Sequence, residues 1–188
     1  MWPDFLCVIS MNNLFKTVLA IIIAFNCANS FAQKVVIIRH AEKPENGDNL
    51  SCKGFNRSLQ LPAVLYAKYK IPDKIFVPSM GNGKSANHVR MFETITPFAI
   101  KYNISINSKY DVDNVKEMAA AILKTNNYAL VVWEHDKIDN LVKALGADAK
   151  GVKWSNDDFD SIWIITFKNG KATVSTDKEN LNPANDCR

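Results

Sequence analysis

Arg39 and His40 follow directly on the apolar run Val35-Val36-Ile37-Ile38, and His135 follows a second such run, Ala129-Leu130-Val131-Val132-Trp133, after one glutamate. Side chains just past a buried strand are held by the most rigid part of a fold. A neutral imidazole nitrogen is a competent nucleophile toward phosphorus, and a covalent phosphoenzyme splits one hard displacement into two easier ones. The charge of a transferred phosphoryl group spreads over three equatorial oxygens, so cations must surround it. Arginine serves best, because its planar fork pairs two oxygens at once. Arg39 and Arg90 fit that role, and His135 adds another donor. The competing reading makes Arg39-His40 a satisfied rim pair without chemistry.

Other chemistries have weaker support in the residues. A metal-dependent hydrolase built on His40, His88 and His135 lacks any H-x-H or H-x-x-x-H pair. His88 and Arg90 are two apart, so on a helix they do not share a face, and His88 is expected at the surface or rim. Gly81-Asn82-Gly83-Lys84-Ser85 mimics a phosphate-binding P-loop, but the motif needs a glycine where Pro78 stands. That loop is expected to line the pocket instead, with Lys84 or Ser85 near the leaving group, or to be a plain turn. A protein that keeps the arginines but lacks proton transfer would bind phosphate without turning it over.

Composition bounds these readings. The chain has 188 residues, 47% hydrophobic and 22% charged, with seven Gly and seven Pro, as in ordinary globular proteins. The net charge of +4 comes from scattered residues, without the clustered positive face of a nucleic-acid binder. The N-terminus reads as a secretory leader. Met11 to Lys16 gives a short start with one positive charge, Thr17 to Phe25 is almost wholly apolar, and Ser30-Phe31-Ala32 puts small residues where cleavage needs them. The expected leader is 1–32, its signal running from Met11, and the expected domain is 33–188. The apolar run is too short for a membrane span of about 20 residues, so no stable membrane insertion is expected after cleavage, and the location is periplasmic or secreted. Cys52 and Cys187 then remain as an even pair, which reads as a disulfide in an exported protein.

The elements alternate. Strands are expected at 35–38, 75–77 and 129–133, and helices at 53–69, 85–101, 112–124 and 137–145, with Pro62 and Pro97 as kinks or breaks. Residues 161–167 and 172–175 form a hairpin around Asn169-Gly170. Buried strands alternating with helices predict a three-layer α/β/α domain with a mainly parallel central sheet. Ligands of such sheets bind outside the carboxyl ends of the strands, where Arg39-His40 and Glu134-His135-Asp136 fall. Trp133 and Trp163 belong to the core, and Trp154 is a candidate aromatic wall for substrate.

In order along the chain, VVIIRHAEKP (35–44), LSCKGFNRSLQLP (50–62), SANHVRMFETITPFA (85–99), LVVWEHDKI (130–138) and FDSIWIITF (159–167) resemble segments of the histidine phosphatase superfamily, in its phosphoglycerate-mutase-like branch. Ala41 stands where that family most often has glycine. The resemblance implies a phosphoglycerate-mutase-like fold and a phosphomonoester hydrolase, with His40 as nucleophile and Arg39, Arg90 and His135 as phosphate pocket. It implies no metal and no cofactor. A small phosphorylated substrate is expected, such as a phosphorylated sugar or surface glycan. The chain's compactness fits hydrolysis better than mutase chemistry. For the proton donor, Glu42 is the first candidate because it shares the loop of His40. Asp136 is second, because another branch of the superfamily uses a His-Asp pair there. Glu134 and Asp136 read equally well as helix-start carboxylates.

Overall fold

β-Branched residues crowd the first strand, β1 (Lys34–Arg39), and its central residues are fully buried. Alternate side chains of a strand point to opposite faces, so a continuous apolar run requires cover on both sides. A computed structural model, which describes residues 33–81, 88–151 and 153–187, shows that cover. Residues 1–32, and so the expected leader, lie outside the described residues, as do Lys84 and Ser85.

The element order is β1, α1 (Cys52–Tyr69), β2 (Lys74–Phe76), α2 (Val89–Tyr102), β3 (Ile106–Asn107), α3 (Val115–Ile122) and β4 (Tyr128–Trp133). A 3-10 turn (His135–Lys137), α4 (Ile138–Ala144), β5 (Ser161–Lys168) and β6 (Lys171–Lys178) follow. The six strands are ordered β3-β2-β4-β1-β5-β6. The first four run parallel, and the β5–β6 hairpin continues the sheet antiparallel.

On one face Val36, Ile38, Leu130 and Val132 pack against Leu61 and Leu65 of α1 and Met91, Ile95 and Phe98 of α2. On the other, Val35, Ile37, Ala129, Val131 and Trp133 pack against Met118 and Ile122 of α3 and Leu141 and Val142 of α4. Each such Leu or Ile contributes roughly 1.5–3 kcal/mol by leaving water. The expected α/β/α layering is therefore the observed one.

Ser51 caps α1, its side chain accepting from the Gly54 N–H, which places the start of that helix. Pro62 sits inside α1 and Pro97 inside α2, and neither interrupts its helix. His88 adopts a left-handed backbone (φ 62°) immediately before α2. The C-terminus is tied down covalently, because Cys52 and Cys187 form a disulfide with Cα atoms 4.9 Å apart.

Candidate active site

Parallel pairing of β1 with β4 puts Arg39 in register with Trp133, and the next step is a bond from the His40 N–H to the Trp133 carbonyl at 3.3 Å. This register brings Arg39-His40 and Glu134-His135 together at the carboxyl edge of the two central strands. His40 is buried, and its Nδ1 lies 2.7 Å from the Ala41 carbonyl oxygen. A carbonyl only accepts, so Nδ1 carries the proton and Nε2 holds the lone pair. Burial lowers the His40 pKa to about 3, and the charges of Arg39, Arg90 and His135 push the same way. The imidazole is thus neutral at any ordinary pH, the state a nucleophile needs.

Arg39 is also buried. Its Nη1 donates to three carbonyls of one loop, those of Ser155 (3.3 Å), Asn156 (2.7 Å) and Asp158 (3.2 Å). Its Nη2 donates to His135 Nδ1 at 3.2 Å, and its guanidinium lies 3.9 Å from the centre of the Phe159 ring. The Arg39 Nε is buried with no hydrogen-bond partner among the described residues. Burial pulls the Arg39 pKa down to about 10, against Asp158 and Asp157, so it stays charged at neutral pH.

The loop that holds Arg39 is itself locked. Asp158 accepts from the backbone N–H groups of Asp160 (3.0 Å) and Ser161 (2.9 Å), the Ser161 hydroxyl (2.5 Å) and Lys178 (3.1 Å). Burial opposes its charge, but these donors outweigh it and hold its pKa near 2. His135 Nε2 pairs with the Asn156 side-chain oxygen at 3.0 Å.

Arg90 stands in the first turn of α2, its Nη1 3.4 Å from the Gly47 carbonyl. One turn later, Thr94 accepts from the Ala41 N–H (2.9 Å) and donates to the Arg90 carbonyl (2.7 Å), tying α2 to the loop of His40. His88 Nε2 lies 3.8 Å from a Glu134 oxygen.

Arg39, Arg90 and His135, three of the expected site residues, are thus each near enough to act electrostatically on His40. Glu42 is placed otherwise. Its two oxygens each accept from Arg57, Nε to Oε2 and Nη2 to Oε1, both at 2.9 Å. A carboxylate gripped bidentately by a buried guanidinium has both oxygens engaged in that pair. The geometry thus pairs Glu42, the expected donor, with Arg57. Trp154 is also not at the site. It is buried against Trp163 and donates its indole N–H to the Asp158 carbonyl, 2.7 Å away. The aromatic ring that does face this cluster is Phe159, edge-on to His40 at 6.1 Å.

No protein-family model matches the sequence, and no curated protein matches it. Solved structures do match its fold. The protein histidine phosphatase SixA complexed with tungstate superposes with TM-score 0.56 at 18% identity, over 78% of this chain and 97% of that one. A mycobacterial glucosyl-3-phosphoglycerate phosphatase with inorganic phosphate gives TM-score 0.53 at 11% identity, over 78% and 96%. A mutant phosphoserine phosphatase from Entamoeba histolytica, in complex with phosphoserine, gives 0.51 at 10% identity, over 79% and 97%. The chain therefore has the histidine-phosphatase fold. Its expected phosphoglycerate-mutase-like architecture stands.

Proposed function

We propose that the chain is a phosphomonoester hydrolase that works through a phosphohistidine on His40. The observation that carries this reading is the pairing of a neutral, buried His40, its Nδ1–H tied to Ala41, with the buried and unpartnered Nε–H of the adjacent Arg39. A buried donor without an acceptor costs free energy, and an oxyanion supplies the acceptor. The tungstate, phosphate and phosphoserine held by three proteins of the same fold support an anion pocket of this kind.

His40 Nε2 attacks phosphorus, the P–N bond forms, and the bond to the leaving oxygen breaks. Arg39, Arg90 and His135 take up the charge on the equatorial oxygens. The leaving oxygen takes a proton from Glu134, which precedes His135, is partly exposed and has His88 as its one ion-pair partner among the described residues. The same carboxylate then accepts a proton from the water that attacks the phosphohistidine, freeing phosphate and restoring His40. Metal independence belongs to this reading, as does export after loss of residues 1–32. The substrate class is a small phosphomonoester such as a phosphorylated sugar or surface glycan.

Turnover of a generic aryl phosphate in the presence of EDTA tests the reading. Wild-type protein is expected to release phosphate, and His40→Ala to be folded and inactive. Rapid quench should trap an acid-labile, base-stable phosphoenzyme. Near-normal turnover by His40→Ala would overturn the mechanism. Tungstate binding without turnover would leave a phosphate-binding protein instead.

A further inference from the structure

Arg57, in the second turn of α1, is buried and touches no residue that contacts the reacting atoms in the proposed mechanism. Its fork is nonetheless almost fully used. Nε and Nη2 grip Glu42, Nη1 donates to Glu179 at 2.5 Å, and Nη2 reaches the Leu181 carbonyl at 3.5 Å. The Asp160 carboxylate lies 3.6 Å from Nη1. One edge of the guanidinium therefore serves the loop of His40, and the other serves the C-terminal arm.

Glu42 is two residues past His40, and its main chain is held as tightly as its side chain. Its carbonyl accepts from the Ser51 N–H at 2.9 Å and the Ser51 hydroxyl at 3.2 Å. On the arm, the Glu179 N–H donates to the Asp160 carbonyl at 2.7 Å, and the Leu181 N–H donates to Asp160 Oδ1 at 3.0 Å. The arm then runs beside α1, where Asn56 donates to the carbonyls of Ala184 (3.0 Å) and Asp186 (2.8 Å), and it ends in the Cys52–Cys187 bond. Burial raises the Glu179 pKa to about 8, against the pull of Arg57.

We propose that Arg57 is a positioning residue for the nucleophile, and that the disulfide-clasped arm 179–187 works through it. The arm sets Arg57, Arg57 sets Glu42, and Glu42 fixes the backbone that carries His40. An arm freed from Cys52 takes Glu179 from the Arg57 Nη1 and leaves that side of the fork with the more distant Asp160 alone, 3.6 Å away. The guanidinium then turns toward water, and the nucleophile's loop loses its side-chain anchor. Arg39, Arg90 and His135 do not touch Arg57, so anion binding is spared and the chemical step is slowed.

This inference rests on His40 being the nucleophile, and the test separates the two. Turnover of an aryl phosphate (kcat and KM), tungstate affinity and melting temperature are measured for wild type, Glu179→Ala, Glu179→Gln, Cys187→Ser and Arg57→Met. Because Arg57→Met strands two buried carboxylates and is the variant at risk of not folding, Glu179→Ala and Cys187→Ser decide the matter. Both are expected to lose roughly tenfold in kcat, while KM and tungstate affinity stay within about twofold, as removal of a group acting only on the chemical step requires. Glu179→Gln, which keeps an acceptor for Arg57, is expected to recover part of the loss. Dithiothreitol should lower wild-type kcat to the Cys187→Ser level and leave Cys187→Ser unchanged. Folded Glu179→Ala and Cys187→Ser proteins with wild-type kcat would overturn the inference alone. A wild-type chain without turnover would overturn the phosphatase reading, and this inference with it.

Discussion

Arg39 and His135 share one hydrogen bond, Nη2 to Nδ1 at 3.2 Å, and it fixes the tautomer of the histidine. A guanidinium has no acceptor, so His135 Nδ1 must hold the lone pair and Nε2 the proton. That proton points to Asn156 Oδ1 at 3.0 Å. Three loop carbonyls hold Arg39 in turn, so the orientation of His135 is set by residues 155–158 as much as by β4. A phosphoryl oxygen that reaches His135 competes with Asn156 for the same N–H.

Asn156→Asp sharpens that competition by adding a negative charge beside His135 and Arg39. Like charges a few ångströms apart at a protein surface interact by roughly 1–4 kcal/mol, so tungstate affinity should fall at least about fivefold. Calorimetric titration reads this directly. Equal or tighter binding would show that Asn156 does not border the anion.

The pH dependence of stability follows from His40, whose pKa is lowered to about 3 in the folded chain, chiefly by burial. An unfolded chain takes up this proton near the ordinary value of about 6.5. Between those values the unfolded state binds the extra proton, so the contribution of His40 is complete above about pH 6.5 and is lost as pH falls toward 3, at up to about 1.4 kcal/mol per pH unit. His40→Gln should therefore flatten the acid slope by one proton's worth between about pH 6 and 4. Urea unfolding at several pH values would detect it, and an unchanged slope would contradict the neutral, buried imidazole.

Glu134 and Glu42 are told apart by leaving-group dependence and by stability. Glu134→Gln removes the proposed acid and should cost about 10²–10⁴ in kcat on an alkyl phosphate, with a smaller loss on an aryl phosphate whose oxygen leaves unaided. Glu42→Ala strands the buried Arg57 and should cost roughly 3–5 kcal/mol of stability. A stable Glu42→Ala protein with a leaving-group-dependent loss would return the acid's role to Glu42.

Gly54 faces the Glu42 main chain so closely that a β-carbon there would lie 2.2 Å from the Glu42 carbonyl oxygen. Backbone cannot yield as a flexible side chain does. Gly54→Ala should therefore destabilise by about 3 kcal/mol, the upper part of the usual overpacking range. Chemical denaturation measures the loss, and a neutral substitution would mean that the loop of His40 shifts freely.

Much of this arrangement is legible in the sequence because it follows from strand chemistry. The unbroken runs Val35–Ile38 and Ala129–Trp133 announce strands covered on both faces, and their parallel pairing, with Arg39 opposite Trp133, brings the ends that carry His40 and His135 to one edge. Arg90 and the Cys52–Cys187 pair are equally visible. The third wall of the site is not, because Asn156 and Phe159 come from a stretch between α4 and β5 with no periodicity. A signal exists in Asp158-Phe159-Asp160-Ser161, where an aspartate three residues before a serine at a strand start invites the side-chain turn that is observed. Strand β3 escapes notice because two residues, Ile106-Asn107, carry no pattern. The Glu42–Arg57 pair is not legible in the sequence, since adjacency to His40 says nothing of Arg57, further along the chain on α1, which donates to both its oxygens. Pro62 and Pro97 overstate their disruption, because packing of α1 and α2 on the sheet outweighs one lost hydrogen bond in each.

The two outermost strands differ in kind, and the difference governs what a second molecule could do there. Among the described residues β3 offers two residues of free backbone, too few to template an added strand. β6 offers eight, but Lys171 and Lys178 stand at its two ends and its side chains are mostly exposed and polar. Lysines on a rim strand repel a like strand and blunt edge-to-edge pairing. Concentrated solutions of the folded protein are thereby protected against sheet-extension aggregates, and fibrillar association would have to begin from chains already opened elsewhere.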